Sequence, residues 1–434
     1  MKIRPCSVRA NENSPVNVMV KNMSKITSEF IAEIPKTDLH VHLDGSLRIP
    51  TLIDLAQSAG VALPSYTDEG LRELVFKDKY ANLVEYLQGF GLTTSVMTNA
   101  EQVERVAYEL AEDNFNEGVR YFEVRFAPQL HVTADFNLDQ VLLAVNRGLA
   151  KATSDFNARN ALIPADERGP DGHYGIIVCA MRNAMPVLSP YFQDVFRVHA
   201  YSTDRAVGSM TSLEMARAAV DIRDRLGIPI TGFDLAGAEA GYPAVEHRDA
   251  FDYCHKNFLK KTVHAGEAYG PESIFQAITE LHADRLGHGY YLLSPDKIVS
   301  RAIADPQDYV RRLSEYIADR RITIEVCLTS NMQTNPSITD LKHHAFGKML
   351  KARLSTTLCT DNRLVSNTTV TREIQLAVDT FGIGPSELKD IIVYGFKRSF
   401  YHGSYNEKRQ YVRSVIDYYE ALERKHGIRH APNT

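Results

Sequence analysis

Short runs of apolar, β-branched residues recur along the chain, and each ends in a polar cluster. In order they are IPKTDLHVHL, YFEVRFAPQL, YGIIVCAMR, IPITGFDLAG, KKTVHAGE, ADRLGHG, RITIEVCLTSN and STTLCTDNR. Runs of this kind bounded by turn residues read as strands. Between them lie EQVERVAYELAEDNFNEG, SLEMARAAVDIRDRLG and PESIFQAITEL, whose apolar positions recur at helical spacing and several of which stop at glycine. Strands alternating with helices predict an α/β protein with a parallel sheet. No GxGxxG or P-loop follows the first strand, so eight such units favour closure into a (β/α)8 TIM barrel over a doubly wound sheet.

The same pattern sets the domain organisation. Residues 1–33 read as an N-terminal extension and 34–434 as one barrel domain. Two stretches lengthen its connections: 157–172, rich in proline, glycine and charge, and 294–316 after the sixth strand. From about 386 to 426 the periodicity predicts extra C-terminal helices. A length of 434 residues alone permits two or three domains, but nothing in composition forces a split. A hydrophobic fraction of 44% and a charged fraction of 24% are those of a globular protein with a large core. The net charge of −5 carries no chain-wide footprint for nucleic acid or an anionic membrane, so the expected partner is a small molecule. Five widely spaced cysteines without C-x-x-C indicate neither a disulfide framework nor a thiolate zinc site. Together with a polar N-terminus and no long apolar run, this predicts a cytoplasmic protein. The sequence sets no oligomeric state.

Chemistry enters with the histidines. His40 and His42 lie two apart on the first predicted strand, so both imidazoles point to one side. An isolated strand histidine is most often a hydrogen-bonding core residue, and His173, His255, His343 and His402 are read that way. His264 in TVHAGE, His288 in RLGHG and Asp361 in TTLCTD are different, because each sits where a strand turns polar. In a barrel those C-terminal ends converge on one pocket. Three imidazoles and a carboxylate suit zinc, with iron, cobalt and manganese left open by ligand type. Glu267, three residues past His264, is then the natural proton donor, since a dry pocket raises a carboxyl pKa.

At this point TDLHVHLDGSLR, DLAGAE, HAGE, RLGHG and LCTDN, in that order over residues 37–362, resemble the adenosine deaminase family. The resemblance implies one zinc per chain held by His40, His42, His264 and Asp361. It implies that Glu267 protonates purine nitrogen 1 while the metal-activated water attacks carbon 6. His288 would orient that water and stabilise its charge, and Asp361 would accept its proton, leaving inosine and ammonia. Asp44 is similar to the family's contact for the ribose 5′-hydroxyl, and the Gly237 N–H to that for nitrogen 3. His42 also borders the substrate, and Asp234 becomes a partner of a ligating imidazole. Three positions depart from the family pattern. Asn362 stands where many members have a second aspartate facing nitrogen 7, Ala238 replaces an acidic residue, and Leu328 replaces a proline. The rival readings are deamination of adenine, of AMP or of a 5′-modified nucleoside, a two-metal hydrolase bridged by a modified lysine, and a catalytically silent binder. Asp44 argues against AMP, and no strand end offers the lysine.

Overall fold

Each predicted strand forms. The computed structural model describes residues 26–430, and its strands are β1 (Lys36–His42), β2 (Val119–Phe126), β3 (His173–Met181), β4 (Ile230–Ala236), β5 (Lys260–Ala265), β6 (Arg285–His288), β7 (Thr323–Val326) and β8 (Thr356–Leu358). They pair in chain order, each parallel to the next. A parallel bridge between Val41 and Asp361 joins the last strand's end to the first. There the His42 N–H donates to the Asp361 carbonyl at 2.7 Å, and the Asp361 N–H donates to the His40 carbonyl at 2.8 Å. The result is the expected (β/α)8 barrel, with every residue of β1 and β4 buried because helices cover the outer face.

Local chemistry explains where the outer helices start. Asn99 caps Ala100–Asn116, Thr203 caps Asp204–Leu226, and Asn137 forms a capping box with Gln140 at the head of Leu138–Asn160. Inside the barrel the strands carry buried charges. Arg125 and Arg285 are enclosed by Glu123, Asp234 and Glu325, an arrangement that a low-dielectric interior tolerates only when every charge is paired.

The structure redraws three boundaries. Residues 1–25 of the expected extension lie outside the described residues. Residues 28–33 are a helix, Ser28–Glu33, with Phe30 and Ile31 fully buried and Phe30 set edge-on to Tyr419. Within 157–172, Asn157 still belongs to the Leu138–Asn160 helix, and its side-chain amide closes the following loop by pairing with both the N–H and the carbonyl of Gly172. Of 294–316, the second half is the regular barrel helix Pro306–Arg320 that leads into β7. The expected C-terminal helices are Pro385–Arg398 and Tyr405–Lys425. A larger elaboration lies between β1 and β2, where Asp68–Leu74, Leu83–Leu87 and Phe90–Ser95 are added to the chain. No helix among the described residues is long and apolar enough to cross a membrane.

Candidate active site

The strand ends bring the expected residues together. His40 and His42 come from β1, His264 from β5 and His288 from β6, and Asp361 follows β8. The ligand atoms of His40, His42, His264 and Asp361 all lie within 4.8 Å of one another. Nε2 of His42 is 3.2 Å from Nε2 of His264, and Asp361 Oδ1 is 3.4 Å from His40 Nε2 and 3.5 Å from His42 Nε2. His40 Nε2 is buried and has no hydrogen-bond partner, the condition of a lone pair aimed at a cation. Three imidazole nitrogens and one carboxylate oxygen fit zinc.

Partners behind these groups set their orientation. His40 Nδ1 is 2.9 Å from Glu325 Oε2, and His264 Nδ1 is 3.0 Å from Asp234 Oδ2. An acceptor there keeps the proton on Nδ1 and leaves Nε2 free to ligate. Arg125 ties the two carboxylates together, donating to Asp234 at 3.0 Å and to Glu325 at 2.8 Å. Ser330 donates to Asp361 Oδ2 at 2.6 Å, which leaves Oδ1 free to join the imidazole nitrogens as a ligand. Burial pushes the Asp361 pKa up, but the adjacent His40 and the surrounding imidazoles outweigh it and hold the group far below the usual carboxylate range. Backbone conformation adds precision: His288 and Asp361 both adopt left-handed φ, +61° in each case, a conformation non-glycine residues hold only when their surroundings impose it.

Beside this cluster, His288 Nε2 lies 3.6 Å from Glu267 Oε2. Burial raises the Glu267 pKa well above its ordinary value, and the charges of Asp361 and Glu239 raise it further against Arg182. Both residues line a cavity of about 470 Å³ together with His42, Asp44, Gly237, His264, Asp361 and Asn362. The cavity is also lined by the apolar side chains of Leu83, Leu87, Phe90, Met181, Met185 and Leu188. Gly237 has φ of +96°, and a Cβ there would meet Asn183 Oδ1 at 3.0 Å, so the backbone is exposed to the cavity as only glycine allows. Asp44 is pushed up to about 7 by burial, and its Oδ1 has no partner within the protein. Asn362 donates from Nδ2 to the Tyr86 hydroxyl at 2.7 Å, while its Oδ1 is unpartnered and occupies the space left by the absent Cβ of Gly45.

Some contributors are not among the sequence candidates. Glu325 and Arg125 hold the ligands, and their signal is a charge set inside an otherwise apolar strand. Glu239 accepts from the backbone N–H groups of Gly266, Glu267, Ala268 and Tyr269 at 2.7, 2.9, 2.6 and 3.0 Å, fixing the loop that carries Glu267. The apolar lining has no signal that separates it from ordinary core.

A parallel barrel with three imidazoles and a carboxylate converging at its C-terminal mouth defines a metal-binding barrel hydrolase. The adenosine deaminase family model matches residues 35–185 and 197–418, and the chain belongs to that family. It is 36% identical over 393 residues to an adenosine deaminase of Mycolicibacterium gilvum, covering 90% of this chain and 96% of that one. A Mycobacterium marinum adenosine deaminase is 35% identical with the same coverage. Among solved structures, the N6-methyl-AMP deaminase of Arabidopsis thaliana superposes with a TM-score of 0.65 at 25% identity, covering 90% of this chain and 98% of that one. The fold is also that of an adenine deaminase from Arthrobacter aurescens, at a TM-score of 0.68, 20% identity and coverage of 89% and 99%.

Proposed function

We propose that the protein hydrolyses adenosine, and 2′-deoxyadenosine, to the inosine nucleoside and ammonia in purine salvage. The observation that carries this reading is the pairing of a buried Glu267 with His288 at 3.6 Å, beside a four-ligand cluster in a cavity with largely apolar lining. A mostly apolar pocket with a few convergent polar groups suits a flat heteroaromatic ring. His40, His42, His264 and Asp361 would hold one zinc ion, which supplies Lewis acidity and lowers the pKa of a bound water towards about 7.

The remaining work falls to side chains. Glu267, kept protonated by its dry surroundings, gives a proton to purine nitrogen 1. His288 orients the attacking water and stabilises its developing charge, and Asp361 takes up the proton that water releases. Asp44 accepts from the ribose 5′-hydroxyl with the oxygen that the protein leaves unpartnered. A 5′-phosphate placed there would face a carboxylate, which argues against AMP. The Gly237 N–H donates to nitrogen 3, and Asn362 meets nitrogen 7 when its amide turns from Tyr86. Free thiols at Cys179, Cys254, Cys327 and Cys359 support the expected reducing, cytoplasmic setting.

The test is a substrate panel of adenosine, 2′-deoxyadenosine, adenine, AMP and N6-methyl-AMP, followed by the ultraviolet change of deamination and by ammonia release. Highest kcat/KM on the two nucleosides is expected. Preference for adenine would establish the alternative of a free-base deaminase, and preference for a nucleotide would remove the role given to Asp44.

A further inference from the structure

His288 is held from behind by a chain of groups whose protons the geometry assigns one by one. The chain begins at the backbone N–H of Phe346, which donates to His344 Nδ1 at 3.0 Å. A backbone amide can only donate, so His344 Nδ1 is the acceptor and carries no proton. The ring's proton is therefore on Nε2, and a doubly protonated His344 is excluded by the same contact. Burial, which pushes the His344 pKa down to about 3, agrees with a neutral ring.

His344 Nε2 lies 3.2 Å from Asn331 Oδ1, and a protonated nitrogen there makes the amide oxygen the acceptor. This fixes which way the Asn331 amide faces. Its Nδ2 then points to His288 Nδ1 at 3.2 Å and can only donate. His288 Nδ1 is thereby an acceptor. All three side chains are buried, so no water competes for these positions.

We infer that Asn331 and His344 form a relay, anchored on the Phe346 amide, that fixes the tautomer of His288 with its proton on Nε2, aimed into the cavity. The relay contrasts with the ligating histidines: a carboxylate behind His40 and another behind His264 keep the proton on Nδ1, and an amide donor behind His288 puts it on Nε2. Two otherwise similar imidazole settings are thus given opposite polarity by one atom in the next layer. His288 consequently offers an N–H to an oxygen in the cavity and has no lone pair there with which to take a proton. Asn331 and His344 touch no substrate and act as positioning residues. The role of His288 in turnover rests on the deaminase reading above; the tautomer does not.

The experiment has two arms. Ring-15N-histidine labelling of the zinc-loaded protein, with His288→Gln to assign the signal, should show His288 with a protonated Nε2 and an unprotonated Nδ1. In Asn331→Asp that pattern should invert, because a carboxylate can only accept. The second arm is kinetic: Asn331→Asp should lose about 10²-fold in kcat with bound zinc and KM little changed, by the usual size of such electrostatic contributions. The same substitution in a His288→Gln background should cost less than about threefold, since the two act as a unit. His344→Gln, whose amide can still donate to Asn331, should retain more activity than His344→Leu. A proton on Nδ1 in the parent protein overturns the relay, as does an equal loss in both backgrounds. A parent protein that shows the expected tautomer but does not deaminate adenosine leaves the relay standing and sinks the functional reading instead.

Discussion

Asp234 shows how much of the candidate site is decided one atom behind the ligands. It takes the Nδ1 proton of His264 and the guanidinium of Arg125 at once. Asp234→Asn keeps the volume but no longer demands that proton, so zinc affinity should fall about 10- to 100-fold, measured by competition with a chromophoric chelator. Unchanged affinity would mean that Arg125 alone orients the ring. Glu267→Gln should keep zinc and nucleoside binding but lose at least about 10²-fold in kcat, since an amide cannot supply the proton. Near-parental turnover would move the acid elsewhere. For Asn362 the useful comparison is between substrates: Asn362→Ala should lose more kcat/KM on adenosine than on 7-deaza-adenosine, and equal losses would confine its role to holding Tyr86 and the loop. His40, His42, His264, His288 and Asp361 were legible in the sequence because each ends an apolar run. Asn331 and His344 were not, because their meaning depends on contacts made only after folding.

Among the elements, the eight strands were readable from period and composition. The helices Leu83–Leu87 and Phe90–Ser95 were not, since apolar residues that face a cavity look the same in sequence as those that face a core. Phe90 sits 6.4 Å from His42 between ring centres. Phe90→Ala should raise KM about tenfold through lost apolar contact, with kcat and metal content nearly unchanged; a loss confined to kcat would show that the helix acts on chemistry instead. The 294–316 segment, expected only to lengthen the connection after the sixth strand, supplies in its second half the start of the helix Pro306–Arg320, which opens on a proline. Lys36 joins the Ser28–Glu33 helix to β1, donating to the carbonyls of Ala32, Ile34 and Glu117. Burial pushes its pKa down to about 7, against about 10.4 in the unfolded chain, so the folded state binds fewer protons between those values. Its contribution to stability is complete above the unfolded value, falls progressively as pH drops below it, and is lost by the time pH has fallen through about 7. The stability of the parent relative to Lys36→Met should therefore rise by about 2 kcal/mol from pH 7 to pH 9. Urea unfolding at both pH values checks this, and a constant difference contradicts it.

Across the whole molecule, the candidate ligands come from the first strand, the fifth and the segment after the last, so the proposed ion also pins the barrel's closing edge. Chelation should abolish activity and lower the melting temperature, and zinc should restore both; at a thousandfold excess over Kd the ion adds about 4 kcal/mol. Loss of activity without a shift in melting would show that the edge holds unaided through the backbone hydrogen bonds between β1 and Asp361. The helices at the two ends of the described chain meet as well, with Lys425 and His426 both on Glu33. A flexible linker between residues 430 and 26 would thus turn the polypeptide into a ring, and a ring can be cut anywhere on its surface. If it is reopened in the exposed turn at 161–168, the order of the ligands along the chain changes to His264, Asp361, His40 and His42 while their positions in space do not. Such a circular permutant should bind zinc and turn over like the parent, making the linear order of the motifs a matter of where the ring was opened.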